Sequence, residues 1–254
     1  MNNICLILEY EGKNYNGFQK QKSLNIKTIQ GELENAIFKL TNEKIKTIGA
    51  GRTDAGVNAE KQFVNFFSNS NIPPEKFSLA LNNLLPKDIS VKRSFLVPNN
   101  FHARYSAISR KYKYRILVDK NRSSLRRNLV FHCPFYLNFE IMKNEWLSIV
   151  GKHDFTAFCK SETNRKNMEC NIIETTIDKK DDEIILTIKA DTFLRGMVRL
   201  LVGTLLSISQ EKTNKTLIEF IKNKEKNKFI FSAPPEGLSL VDVEYPKEFG
   251  IFIL

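Results

Sequence analysis

Among the side chains able to do chemistry, one carboxylate stands apart: Asp54, in the run Gly49-Ala50-Gly51-Arg52-Thr53-Asp54-Ala55-Gly56-Val57-Asn58. Three glycines bracket it, and Arg52 lies two residues before it. Glycine lets a backbone turn sharply and lets a ligand approach it closely. An acid presented on such a loop, beside a cation, can act as a nucleophile or a general base once it is ionised. It can equally do no more than close a turn, because aspartate readily hydrogen-bonds its own backbone. The local pattern leaves both readings open.

Two further groupings bear on chemistry. Cations alternate with aromatics through Phe101, Arg104, Tyr105, Arg110, Lys111, Tyr112, Lys113, Tyr114 and Arg115. Cations meet phosphates and flat rings stack on unpaired bases, so this stretch suits single-stranded nucleic acid. It also suits a half-buried strand with tyrosines inward and lysines outward. Arg195 and Arg199 stand four apart in the otherwise apolar stretch 193–208. A buried guanidinium is costly unless paired, which points to a carboxylate partner, a structural ion pair or a snorkelling stem. Together the groupings outline a site made of one loop carboxylate, one helix arginine, one tyrosine and a basic approach surface.

Other chemistries find no support. Gly49-x-Gly51-x-x-Asp54 lacks the third glycine of a dinucleotide loop, and a strand rather than a helix follows it. No glycine loop ends in Gly-Lys-Ser/Thr, and no local motif suggests a Ser-His-Asp or Cys-His arrangement. Cys5, Cys133, Cys159 and Cys170 are scattered without a CxxC, and His102, His132 and His153 are too dispersed for a metal motif. No metal or cofactor is expected, and a reducing cytoplasm fits the cysteine usage.

The elements that must position these residues follow from periodicity. Ile4–Tyr10 reads as a strand, and Thr28 caps a helix with Ile29, Leu33, Ala36, Ile37 and Leu40 on one face. Strands flank the Asp54 loop. Pro73-Pro74 opens a short helix with Phe77, Ala80, Leu81, Leu84 and Leu85 inward, and Ile89–Val97 alternates as a strand. Strand–helix–strand–strand–helix–strand is the order of a ferredoxin-like half. Pro98-Asn99-Asn100 is the expected boundary, giving domains 1–98 and 99–254. Beyond it come a strand at Arg110–Val118, a helix at Glu140–Val150 stopped by Gly151, and a polar loop at 159–171. A hairpin at 172–190, a long helix at 193–208, a short one at 217–222 and a strand at 237–245 complete the chain. The expected fold is α+β, two related halves sharing a mostly antiparallel central sheet.

The chain has 254 residues, 42% of them hydrophobic and 26% charged, which suits a globular protein with a real core. Its formal charge of +11 favours a polyanionic partner, nucleic acid first and a membrane surface second. No apolar stretch reaches the ~18 residues of a span, and the N-terminus reads as a strand rather than a signal peptide.

The run Gly51-Arg52-Thr53-Asp54-Ala55-Gly56-Val57 resembles the catalytic motif of the TruA-type tRNA pseudouridine synthases. Other stretches match in the same order: Glu9-Tyr10-Glu11-Gly12, Tyr15-x-Gly17-Phe18-Gln19, Phe101-His102-Ala103-Arg104 and Ser109-Arg110-Lys111-Tyr112-x-Tyr114. Asp154-Phe155-Thr156-x-Phe158, Met197-Val198-Arg199-x-x-x-Gly203 and Glu236-Gly237-Leu238-x-Leu240 follow. The resemblance implies an isomerase that converts uridine to pseudouridine at positions 38, 39 and 40 of the tRNA anticodon stem-loop. It also implies a homodimer that needs no cofactor or metal. It makes Asp54 the catalytic aspartate, Arg52 the residue that helps displace the target base, Tyr112 the ring packed on that base, and Arg199 the partner of the aspartate. Phe101, His102, Ala103, Arg104 and Tyr105 correspond to an RNA-contacting segment, with Arg165 as a further RNA contact. Asn58 stands where the family usually has His, and Phe18 where Trp is frequent. Two other classes remain to be distinguished: a non-catalytic RNA-binding protein on the same scaffold, and a small-molecule hydrolase using Asp54.

Overall fold

A computed structural model describes residues 1–21, 26–160 and 167–251. By their internal contacts these form two compact units, Met1–Ser109 with Ser239–Leu254, and Arg110–Leu238. The sequence suggested a division at 98. Residues 98–109 instead group with the first unit, because polar groups inside it claim them. The Asn3 side-chain amide donates to Pro98 O and Phe101 O, both at 3.0 Å. Asn65 Oδ1 accepts from Ala103 N at 2.9 Å, and Tyr245 Oη donates to Ala103 O at 2.7 Å. The Phe101 ring lies 5.0 Å from that of Tyr245 and 5.3 Å from that of Phe249, so the C-terminal segment returns to seal the same cluster.

In the first unit, strand β1 (Asn2–Tyr10) is buried along nearly its whole length, as an interior strand must be. It is flanked by antiparallel partners, β3 (Asn58–Ser68) and β4 (Ile89–Leu96). The two-residue strand β2 (Ile48–Gly49) pairs with β3, and the returning strand Leu238–Glu244 joins β3 in parallel. Helix α1 (Ile29–Thr41) begins where expected, with the Thr28 side chain accepting from Gly31 N. Helix α2 (Phe77–Asn82) follows the Pro73-Pro74 turn, with Phe77 and Leu81 buried. Leu84, expected inward, is exposed: α2 has ended, and the Leu84 N–H turns back to Leu81 O at 2.9 Å.

The second unit is built on β5 (Ser109–Val118), β6 (Phe131–Cys133), β7 (Gly151–Asp154), β8 (Glu169–Lys180) and β9 (Glu183–Ala190). β5, β9, β8 and β7 run antiparallel in that order, and β6 lies parallel to β5. The expected alternation of β5 holds as far as Ile116, with Tyr112, Tyr114 and Ile116 buried and Lys111, Lys113 and Arg115 on the opposite face. It breaks at the end of the strand, where Leu117 is buried and Val118, expected inward, is only half-buried. β6 and β7 are too short to carry a periodic signal, and β8 begins inside the stretch expected to be loop. Helix α3 (Phe139–Leu147) ends at a Ser148 cap, and Gly151 opens β7 instead of stopping the helix. Its Trp146 is fully buried and donates from Nε1 to Thr187 O at 2.9 Å. Helix α4 (Met197–Ser209) is shorter than 193–208 suggested, because Gly196 at φ 74° precedes it as a left-handed N-cap. Arg195 therefore lies before the helix and is exposed. Helix α5 (Leu217–Asn223) is opened by a Thr216–Glu219 capping box. Both units are mixed α+β with mostly antiparallel pairing.

Candidate active site

Asp54 sits at the tip of the β2–β3 connection, half-buried, in a turn in which Val57 N donates to Asp54 O at 3.2 Å. Gly56 occupies the third position of that turn at φ 77°, a conformation that favours glycine. The turn is held on several sides. The side-chain amide of Gln62 donates to Gly51 O at 2.7 Å, and its Oε1 accepts from Gly51 N at 3.2 Å. Thr53 is buried, with its hydroxyl 2.8 Å from the Tyr10 hydroxyl. Arg52, next in line, is exposed.

The segment Gly12–Phe18 cradles this turn. Phe18 N donates to Thr53 O at 3.1 Å and Gly56 N to Tyr15 O at 3.3 Å. Gly12 N donates to Asn58 Oδ1 at 2.8 Å, so Asn58 ties cradle to turn. Gly12 lies so close that an added Cβ would stand 2.1 Å from Val57 O. The cradle is itself pinned by Asp88, whose Oδ1 accepts from Tyr15 Oη at 2.5 Å and whose Oδ2 accepts from Asn14 Nδ2 at 3.2 Å. Burial, and then the Asp88 carboxylate, push the Tyr15 hydroxyl well above its ordinary range, so it stays a donor. Nothing in the sequence marked Asp88 as part of the site: its partners lie 73 and 74 positions away.

The second unit positions Tyr112 and Arg199. Tyr112 is a buried β5 residue whose ring meets that of Phe193 edge-on, at 5.0 Å and 86°. Arg199, half-buried in the first turns of α4, donates from Nε to Ala233 O at 2.7 Å, while Ala233 N donates to Arg199 O at 3.0 Å. The next residue is held from the strand: Tyr114 Oη donates to Pro234 O at 2.8 Å. Burial raises the Tyr114 hydroxyl far above its usual range, with the Glu236 carboxylate adding to the effect, so Tyr114 is a donor throughout. Residues 233–234 thus fix the Arg199 stem through Nε, a feature that only the three-dimensional fold discloses.

The segment 101–105 divides by burial. Phe101 and Ala103 are 2% and 0% exposed, so they hold the turn from within and offer no surface to a ligand. His102, Arg104 and Tyr105 face outward, with the His102 and Tyr105 rings 4.3 Å apart. Arg165 lies outside the described residues. Among the described residues no group of three or more His, Cys, Asp or Glu could hold a metal ion, and no helix is long and apolar enough to cross a membrane.

Comparison with known proteins shows which family the sequence matches. The family described as tRNA pseudouridine synthase matches residues 6–106 and 147–246. A protein named tRNA pseudouridine synthase A from Acetivibrio thermocellus is 42% identical over 246 residues, covering 96% of this chain and 100% of its own. One of the same name from Clostridium acetobutylicum is 41% identical over 249 residues, with the same coverage of both chains.

Proposed function

The chain belongs to the tRNA pseudouridine synthase family, and on that premise we propose that it isomerises uridine to pseudouridine at positions 38, 39 and 40 of the tRNA anticodon stem-loop. The single observation that carries this reading is the anchored turn that presents Asp54 in the matching motif.

The reaction breaks the bond between ribose C1′ and uracil N1, turns the base over, joins C1′ to C5, and moves the C5 proton to N1. Neither N1 nor C5 is accessible in a stacked stem, so the nucleotide must leave the stack at a cost of a few kcal/mol. Arg52, exposed beside the turn, occupies the vacated space or holds a phosphate. The Tyr112 ring gives the everted uracil a flat wall, itself braced edge-on by Phe193. Asp54, as a carboxylate, supplies the nucleophile or base of the rearrangement. Arg199 is its cationic partner in this reading. The enzyme works as a homodimer in the cytoplasm, a reducing setting in keeping with four buried cysteines that form no disulfide among the described residues.

Because phosphate contacts release counterions, tRNA affinity is expected to fall steeply with salt. Six or more such contacts correspond to a loss of roughly 10³-fold or more between about 50 and 200 mM. Filter binding across that range checks it. A flat response, or no tritium release from tRNA carrying 5-tritiated uridine, would contradict the proposed substrate.

A further inference from the structure

Asp54 rides on one loop that leans on another, so its placement depends on what holds the second loop still. The cradle, Gly12–Phe18, forms neither helix nor strand. A group carried on loops is precise only where neighbouring contacts lock it. The cradle grows out of β1, whose last residue, Tyr10, pairs with Ile89 at the start of β4. Asp88 stands immediately before that strand. Its carbonyl extends the pairing by one step, accepting from Glu11 N at 3.0 Å. The Asp88 backbone is therefore rooted in the sheet, while its side chain reaches the cradle. Oδ1 takes the Tyr15 hydroxyl at 2.5 Å, and Oδ2 takes the Asn14 amide at 3.2 Å.

From Tyr15 to the Asp54 turn the contacts are short and made by backbone. Tyr15 O accepts from Gly56 N, two residues after Asp54, at 3.3 Å. Gly17 lies flat against the turn: an added Cβ would stand 2.6 Å from Thr53 O and 3.1 Å from Asp54 C. Tyr15 is 6% exposed, so its ring is fixed by the core, and a hydroxyl held there needs the acceptor that Asp88 provides. The direction of the contacts is informative. The bonds from Asp88 reach Glu11, Asn14 and Tyr15, and the bonds from the cradle reach Thr53, Gly56 and Asn58. A brace for the sheet alone would have no reason to end on the residues that flank Asp54.

We propose that Asp88, acting through Tyr15, is a positioning residue for Asp54: it fixes the cradle to the sheet, and the cradle fixes the turn that carries the carboxylate. This rests on the pseudouridine reading above and adds a residue to that site. Asp88 neither touches the uridine nor exchanges a proton with it. Its loss lowers the rate of the rearrangement and leaves capture of the RNA in place.

The test uses the full-length protein and tRNA carrying 5-tritiated uridine. Tritium release in a single turnover at saturation reads the chemistry, and filter binding reads Kd. Asp88→Ala is expected to slow release roughly 10- to 100-fold, the cost of a misplacement of up to about 1 Å, with Kd unchanged. Tyr15→Phe keeps the ring in the core and removes only the hydroxyl, so it should slow the same step to a lesser extent. Asp88→Asn retains an oxygen for that hydroxyl, as a weaker neutral acceptor, and should fall between Asp88→Ala and the wild type. Asp88→Ala and Tyr15→Phe break the same bond, so the double variant should be no slower than the slower single one. Asn82→Ala is the structural control. It removes the bonds from the Asn82 side chain to Val91 N and O on β4, at 2.7 and 3.0 Å, and should lower the melting temperature without changing the rate. A wild-type rate in Asp88→Ala or Tyr15→Phe would overturn the proposal, as would losses that multiply in the double variant. An equal fall in Asn82→Ala, or a defect confined to Kd, would overturn it too. Should Asp88→Ala fail to fold, Tyr15→Phe decides by the same readings. A wild-type protein that releases no tritium would instead remove the pseudouridine reading, and the role of Asp88 with it.

Discussion

Asp54→Asn is expected to abolish pseudouridine formation, with a loss of at least about 10³-fold, while the protein still folds and binds tRNA. The substitution is nearly isosteric, and several contacts that shape the turn are made by its backbone and its neighbours. Val57 N bonds Asp54 O, Gln62 clasps Gly51, and the Tyr10 and Thr53 hydroxyls meet beneath the turn. The loop therefore keeps its form while the group at its tip loses its charge. An amide neither attacks a carbon centre nor takes a proton at neutral pH, so either use proposed for the carboxylate fails together. Tritium release from 5-tritiated uridine in tRNA measures the chemistry, and filter binding measures the complex. A variant that fails to bind tRNA would place Asp54 in recognition rather than in the reaction.

Gly12→Ala is expected to be nearly as damaging, though Gly12 has no functional group. A Cβ there would stand 2.1 Å from Val57 O, 2.6 Å from Val57 C and 2.8 Å from Gly56 C. All three are backbone atoms of the Asp54 turn or its neighbour, so no side chain can swing away to make room. Cradle or turn must move by a sizeable fraction of an ångström, which stretches the bond from Gly12 N to Asn58 Oδ1 and shifts the carboxylate. A misplacement near 1 Å costs on the order of 10²-fold in rate. Single-turnover kinetics at saturating tRNA should show that fall in the folded protein. A rate equal to the wild type would mean that the cradle does not set the position of Asp54.

These two residues mark what was legible in the sequence and what was not. Asp54 stood out only through the longer motif that contains it, because an acid between glycines fits a turn-closing aspartate as well as a reactive one. The strands and the α1 cap were legible because burial and capping are local, as with the alternation of β5 and the Thr28 contact to Gly31 N. Asp88 was not, since its hold on Tyr15 is made across 73 positions and leaves no pattern at either end. Nor was the division of 101–105 into buried anchors and exposed contacts, because it arises from Asn65 and Tyr245 reaching in from distant strands. The start of α4 was misplaced for a different reason. An apolar run reads as helix until a glycine in the left-handed region interrupts it, and only the folded chain shows that Gly196 takes that conformation here. The same shift separates Arg195 from Arg199, which the sequence alone would treat as equivalent.

The most direct test of the central claim is to map pseudouridine, nucleotide by nucleotide, in tRNA from cells that lack this protein. The same map is then taken after resupplying the wild type or Asp54→Asn. Pseudouridine at positions 38, 39 and 40 is predicted to vanish without the protein and to return with the wild type alone. An unchanged map in its absence, or restoration by Asp54→Asn, would contradict the account.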